Sequence, residues 1–297
     1  MQNLQDLIRE MQSYGLLINE NTIVHHKIGR CATRNKPRAK NGWYIIHCSN
    51  DLITAFYGDY QKGKQSITWC SKQQLSQQDK KQQYANYLQY QQQINLDKDR
   101  KLYIIRNQYE KFSILQSDQP HAYLLNKGIS SWLRCSQSDR LKQDQVGNII
   151  MPIRDIDNQL QGYQIIAQTG DKKFVSGTNK KGNFYLLIAD GLSIRHCDCL
   201  FIGEGLATMV SFYLAMNEYL ESYHYACVVA CDVNNIEPVL LNIWGRYSGI
   251  PVTIIADNDC GATNNIGVET CNAIKNKYCL QHKIDVFIPY LSNGGVA

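Results

Sequence analysis

Along the first seventy residues, apolar positions fall at helical spacing in a short opening segment. They then alternate with polar ones in Gly42-Trp43-Tyr44-Ile45-Ile46-His47, Leu52-Ile53-Thr54-Ala55-Phe56-Tyr57 and Ser66-Ile67-Thr68-Trp69, with Asn, Asp and Gly between the runs. A two-residue period broken by turn formers predicts a small antiparallel β module. From Lys72 to about Asn95 the chain is Gln-rich and free of Gly and Pro, which predicts a polar connecting helix. A helical pattern continues through 100–116, and Ala122-Tyr123-Leu124-Leu125 precedes Gly128, a helix stop. Residues 148–188 return to strands: Asn148–Arg154 and Leu160–Ile166 flank the turn Asp155-Ile156-Asp157-Asn158, a hairpin signal, followed by Lys173–Gly177 and Phe184–Ile188. In the last hundred residues the apolar runs Leu200–Ile202, Ala226–Ala230, Val252–Ala256 and Ile284–Ile288 alternate with helical segments near 206–220, 235–246 and 262–280. That alternation indicates βαβ units and a parallel sheet, whose ligands bind at the carboxyl ends of the strands. The expected fold is α+β overall, with an α/β parallel sheet at the C-terminus, a β-rich subdomain before it and a small β module at the N-terminus. The expected segments are 1–95, 96–195 and 196–297.

Composition narrows the class without naming a partner. The chain has 297 residues, 44% hydrophobic and 19% charged, inside the globular range. Eleven cysteines are scattered without any CxxC pair, and the opening MQNLQDLIREMQ has no secretory apolar core, so free thiols in a cytoplasmic setting are expected. No run reaches the roughly 20 apolar residues of a membrane-spanning helix, and no membrane partner is expected. His196-Cys197-Asp198-Cys199 is the nearest approach to a metal-binding cluster, but it leads into an apolar strand and reads as buried strand cysteines; no zinc is expected.

The net charge of +5 is small, and its distribution matters more. Lys27, Arg30, Arg34, Lys36, Arg38 and Lys40 fall within fourteen residues that contain no acid. With Trp43 beside them they read either as a solvated basic loop or as an arm that contacts nucleic-acid phosphates. Gly58-Asp59-Tyr60-Gln61-Lys62-Gly63-Lys64-Gln65 nearly spells a P-loop, but Gln65 stands where a Ser or Thr would hold magnesium, so ATP binding there is not expected.

The strongest chemical signal is acidic. The first strand of the predicted parallel sheet ends in Gly203-Glu204-Gly205, and the third ends in Asp257-Asn258-Asp259. Glu204, Asp257 and Asp259 would converge at one sheet edge, where they repel unless a cation neutralises them. Carboxylate oxygens suit Mg²⁺ or Mn²⁺, and a two-metal site is compatible with three acids. Gly205 leaves room for a bulky ligand.

These residues carry a resemblance. Phe201-Ile202-Gly203-Glu204-Gly205-Leu206-Ala207-Thr208 with Ile254-Ile255-Ala256-Asp257-Asn258-Asp259 resembles the TOPRIM domain of bacterial-type primases, type IA and II topoisomerases and some nucleases. Val228-Val229-Ala230-Cys231-Asp232-Val233-Asn234-Asn235-Ile236 and Gly261-Ala262-Thr263-Asn264-Asn265-Ile266-Gly267 extend it. Upstream, Met151-Pro152-Ile153-Arg154-Asp155, Lys173-Phe174, Lys181-Gly182-Asn183-Phe184-Tyr185-Leu186 and His121–Ile129 are similar to the primase core of plasmid and phage primases. The resemblance covers about residues 120–290. The family's Gly-Asn in the middle motif is Asn234-Asn235 here, and the N-terminal zinc spacing of many primases is absent.

The resemblance implies a DNA primase that makes short RNA primers on single-stranded DNA by metal-dependent nucleotidyl transfer, in the replication or transfer of a plasmid, phage or other mobile element. It implies catalytic and metal-binding roles for Glu204, Asp257 and Asp259, with Glu204 as ligand or as proton acceptor. It further implies NTP contacts from Lys173, Lys180, Lys181, Gly205 and Asn235 and a separate replicative helicase or conjugation machinery as partner, with template contacts expected from the basic residues Arg30, Arg34, Lys36, Arg38 and Lys40 and from Trp43 if the N-terminal arm binds nucleic acid. A TOPRIM nuclease shares the same acids. A catalytically inactive single-stranded-DNA-binding accessory protein is the alternative from another class.

Overall fold

The structure is a computed structural model. It describes residues 2–49, 52–62, 66–116, 118, 121–134, 140–219, 223–257 and 265–289. The chain divides into two compact units, Met1–Arg100 and Lys101–Ala297.

The first unit opens with α1 (Gln2–Tyr14), followed by β1 (Leu16–Leu17), β2 (Gly29–Thr33), β3 (Gly42–Ser49), β4 (Leu52–Asp59) and β5 (Ile67–Cys70). These pair in chain order, every pair antiparallel, into one five-stranded sheet. Successive side chains of a strand face opposite ways, so the two faces acquire separate cores. Tyr44, Ile46, Ala55 and Tyr57 pack on Leu7 and Met11 of α1. Trp43, Ile45 and Phe56 pack on Tyr90 of α2 (Gln77–Tyr109). The helical patterns at 72–95 and 100–116 form one continuous 33-residue helix that stops at Tyr109. No Gly or Pro interrupts it, and Asp79 accepts from Ser76 at its start.

The second unit contains the end of α2, β6 (Ser113–Ile114), α3 (Ala122–Asn126), β7 (Lys142–Gln143), β8 (Ile149–Arg154), β9 (Leu160–Ile166) and β10 (Lys172–Phe174). The five strands form an antiparallel sheet in the order β10-β9-β8-β7-β6. The expected hairpin is β8–β9, with Asn158 at φ +63 in its turn. The chain continues through β11 (Tyr185–Leu187), β12 (Cys199–Gly203), α4 (Leu206–Tyr219), β13 (Tyr225–Val229), α5 (Val233–Arg246), β14 (Val252–Ile255), α6 (Ile266–Tyr278) and β15 (Ile284–Phe287). These build a second sheet in the order β11-β13-β12-β14-β15, in which β13, β12, β14 and β15 run parallel and β11 is antiparallel at the edge.

Its inner strands β13 and β14 are buried on both faces, as their unbroken apolar runs require. On one face Cys227 and Val229 pack with Leu206, Met209 and Val210 of α4 and with Ile149, Met151 and Ile153 of β8. On the other, Ile202, Val228 and Ile254 pack with Ile236, Val239, Leu240 and Ile243 of α5 and Cys271 and Ile274 of α6. Gly203 lets α4 approach: a Cβ there would lie 2.4 Å from the Met209 sulfur and 3.0 Å from the Ile255 carbonyl oxygen.

The expected boundary at 95 lies five residues before the division at Arg100, and the expected boundary at 195 lies inside the second unit. Residue 95 lies inside α2, so the helix carries the chain across that point unbroken. Residue 195 lies between β11 and β12, which belong to the same sheet and share one core. Among the described residues no helix is long and apolar enough to cross a membrane.

Candidate active site

From β12 the chain turns to β13 on one side, and from β14 it turns to β15 on the other. The crevice beyond the carboxyl ends of β12 and β14 is therefore the point where connections diverge, the usual ligand position of an open parallel sheet. Gly203 pairs with Ile255 across these strands. Glu204 follows Gly203 directly and Asp257 lies two residues past Ile255, so the two carboxylates leave neighbouring strands at the same edge.

Two further observations bring them together. A Cβ on Gly205 would sit 3.7 Å from the Asp257 Oδ2, so residue 205 borders the second carboxylate. The Cys271 thiol on α6 is pushed up to about 11, chiefly by burial and also by the negative charges of Asp257 and Glu204. The Asp257 Oδ1 is buried without a hydrogen-bond partner. A carboxylate oxygen removed from water and left unpaired is suited to accept a cation. The backbone carbonyl of Asp257 lies 3.3 Å from where a Cβ of Gly267 would stand, so this glycine lets the first turn of α6 pack against it. Asp259 lies outside the described residues, as do Asn258 and the segment 260–264. Among the described residues no group of three or more His, Cys, Asp or Glu side chains is gathered to hold a metal ion.

The next strand end adds positive charge. Cys231 adopts φ +66 just after β13, and its N–H donates to the Glu204 carbonyl at 2.9 Å, tying the two strand ends. That left-handed turn costs a side-chain-bearing residue on the order of 1 kcal/mol, and it delivers Asp232 to the N-cap of α5. One Asp232 oxygen accepts from the Asn234 N–H at 2.9 Å; the other accepts from Lys180 Nζ at 2.5 Å. Burial raises the Asp232 carboxyl, but the hydrogen bonds from Lys180 and Asn234 outweigh it and hold the group below its ordinary range. The Cys231 thiol, pushed up to about 12 by burial, feels Lys172 and Lys180 in one direction and Asp232 and Glu204 in the other, so all four charged side chains lie around it.

The loop carrying Lys180 is fixed by one buried amide. Asn235 Oδ1 accepts from Gly182 N–H at 2.8 Å, while its Nδ2 donates to the Asn183 and Ala230 carbonyls at 3.0 and 2.9 Å. Asn242 Nδ2 adds a bond to the Gly182 carbonyl at 2.9 Å. Gly182 has φ +76, and a Cβ there would meet the Asn242 amide at 2.4 Å.

Several expected contacts change. Asn235 is 3% exposed and makes three hydrogen bonds to backbone groups, so it positions the lysine loop rather than facing a substrate. Lys172 and Lys173 are both exposed on β10; the Cys231 thiol feels the charge of Lys172, whose Nζ lies 5.6 Å from the Tyr123 ring centre. Strand alternation separates the two lysines, a signal readable in the sequence once β10 is set. Lys181 is exposed, and Lys180 is the lysine held in the site. The Asp232 partner was also legible, as an N-cap residue opening α5.

In the first unit, Arg34, Lys36, Arg38 and Lys40 occupy the β2–β3 turn, exposed, and none forms an ion pair among the described residues. Arg30 lies on β2, 4.0 Å from Asp97 and with its guanidinium 4.4 Å from the Tyr60 ring centre. Trp43 is 6% exposed and stacks on Tyr90, centroids 5.7 Å apart and planes 10° apart. The expected surface aromatic is thus a core residue, because α2 covers its face of the sheet.

No family model matches the chain. Over 148 residues, half of this chain, it is 26% identical to DNA primase TraC of Escherichia coli, and the match spans 13% of that protein's length. A solved structure of bacteriophage T7 lagging-strand DNA polymerase interacting with primase domains bound to an RNA/DNA hybrid and dTTP covers 61% of this chain and 80% of its own, at 8% identity and a TM-score of 0.37. At that score the likeness has no bearing on the fold.

Proposed function

We propose that this chain carries the catalytic core of a DNA primase, joining nucleotides into short RNA primers on single-stranded DNA by metal-dependent transfer, with a TOPRIM-type sheet as its scaffold. The observation that carries the reading is the pair Glu204 and Asp257 at the switch point of the parallel sheet, with the Asp257 Oδ1 buried and unpaired. The sequence match to a DNA primase over half the chain supports it. Service to a plasmid, phage or other mobile element, and a helicase or conjugation partner that supplies template, belong to the same proposal.

Glu204 and Asp257, with Asp259, would hold Mg²⁺ or Mn²⁺: hard oxygen donors, one of them orphaned, fit such an ion. When bound, it polarises the α-phosphate and stabilises the departing pyrophosphate. Lys172 and Lys180, whose charges are both felt by the Cys231 thiol as is that of Glu204, would neutralise triphosphate oxygens. Asp232 holds the Lys180 ammonium in one place, and Asn235 holds the loop that bears it. Glu204, leaving the neighbouring strand at the same edge, would share the ion with Asp257 or accept the proton of the attacking hydroxyl.

Incubation with labelled NTPs on single-stranded template, and separately with labelled DNA, tests the reaction. Template-dependent oligoribonucleotides, lost in Glu204→Gln, are the expected result. Cleavage of the DNA without synthesis would assign the same acids to a nuclease.

A further inference from the structure

The first unit carries an aromatic ladder that the proposed reaction does not use. Phe56 stacks on Tyr90 at 4.6 Å and 9°, and Tyr90 stacks on Trp43 at 5.7 Å and 10°. Trp43 meets Tyr60 at 6.2 Å, and Tyr60 is 53% exposed with the Arg30 guanidinium over its ring. The buried rings fix the position of the surface one. Tyr60 N–H donates to the Asn41 carbonyl at 3.1 Å, so the exposed ring stands where the turn bearing Arg34, Lys36, Arg38 and Lys40 rejoins the sheet. Those four cations are exposed and outside any ion pair among the described residues. Beside the same turn a cavity of about 130 Å³ is lined by Arg34 and Lys62, by the Thr33 hydroxyl, which is buried and unpartnered, and by Asp59, whose carboxylate accepts the Gln61 N–H.

A row of unpaired cations attracts a polyanion, and an exposed ring backed by a rigid stack offers a face to an unpaired base. A duplex hides its base faces, so it satisfies only the first. We infer that the Tyr60–Arg30 platform and the β2–β3 turn form a binding surface for single-stranded nucleic acid, one base stacking at Tyr60 while the chain's phosphates follow Arg34, Lys36, Arg38 and Lys40. The surface lies wholly in the first unit and stands whether or not the second unit makes primers.

The test uses the full chain, a fluorescent oligo(dT), and a chelator, which keeps metal-dependent binding at the carboxylates out of the signal. Oligo(dT) binding is expected to weaken about tenfold in Tyr60→Ala and to persist in Tyr60→Phe, as loss of one stacked base predicts. In Lys36→Ala/Arg38→Ala the slope of log affinity against log salt is expected to fall by about 2, one for each phosphate contact. Oligo(U), which shares the phosphate chain and the base faces, is compared with oligo(dT) to tell RNA from DNA. Wild-type affinity in Tyr60→Ala, an unchanged salt slope in the double variant, or equal competition by blunt duplex would overturn the proposal. If melting shows that Tyr60→Ala disturbs the fold, the double variant on the exposed turn carries the test. Loss of primer synthesis in Glu204→Gln leaves this measurement untouched, so the two readings fail separately.

Discussion

The chain has two basic regions of similar charge that the structure treats in opposite ways. In the β2–β3 turn Arg34, Lys36, Arg38 and Lys40 stand in solvent without acidic partners among the described residues. In the second unit Lys180 is clamped by Asp232 and lies 5.5 Å from the Phe174 ring centre. Exposed cations keep their hydration and act through summed charge, which salt screens. A cation held in one geometry by an acid and an amide-pinned loop loses little on meeting a ligand and can act on one phosphate. On the proposed reading, the contrast separates a surface that would collect a polymer from a site that would align one group.

Replacing the held lysine should have the largest effect. Lys180→Ala is expected to lower the rate of primer synthesis on the order of 100-fold, the scale for loss of one preorganised charge, whereas Lys36→Ala/Arg38→Ala should act on the KM for template. Initial rates over a template series distinguish the two; a KM effect from Lys180→Ala would erase the contrast.

Next comes the amide behind that lysine. Asn235→Ala strands the Gly182 N–H and the Asn183 and Ala230 carbonyls in the interior. It is expected to cost about 2–3 kcal/mol of stability, measured by denaturant unfolding. A variant as stable as the parent would mean that the loop is held by other contacts.

A smaller effect should follow pH in the first unit. His47 is fully buried and both ring nitrogens lack partners; burial, reinforced by the neighbouring His26, pushes its pKa below the ordinary value. The unfolded chain then binds the proton more readily than the folded one, so the stability contributed by neutral His47 is complete above about pH 6.5 and is lost as pH falls through the depressed value. Melting temperature should decline on acidification, and His47→Phe should flatten that decline. His121, also depressed by burial but partly offset by its bond to the Gly147 carbonyl, contributes in the same direction from the second unit.

The parallel sheet was legible because strands buried on both faces leave unbroken apolar runs, and the positions of Glu204 and Asp257 followed from the ends of those runs. The N-terminal strands were legible from their two-residue period. Trp43 was misread because the residue that buries it, Tyr90, is remote in sequence and sits on a helix whose polar composition gives no sign of a covered face. Tyr60 was hidden inside a near-match to a phosphate loop; Gly58 and Asp59 in fact end β4, and Gly63, Lys64 and Gln65 lie outside the described residues. Lys172 and Lys173 differ only in strand phase, which a boundary uncertain by one residue cannot fix. Asn235 looked like a ligand residue because a buried amide with three backbone bonds reads, in sequence, like any other Asn before an apolar helix.

The account rests on the carboxylates at the ends of β12 and β14, and the direct measurement is incorporation of labelled NTPs on single-stranded DNA by the parent chain and by Asp257→Asn, with magnesium present and matched melting curves. Template-dependent oligoribonucleotides from the parent, and their loss in Asp257→Asn with the fold intact, are the predicted result. Undiminished synthesis by a folded Asp257→Asn would contradict it.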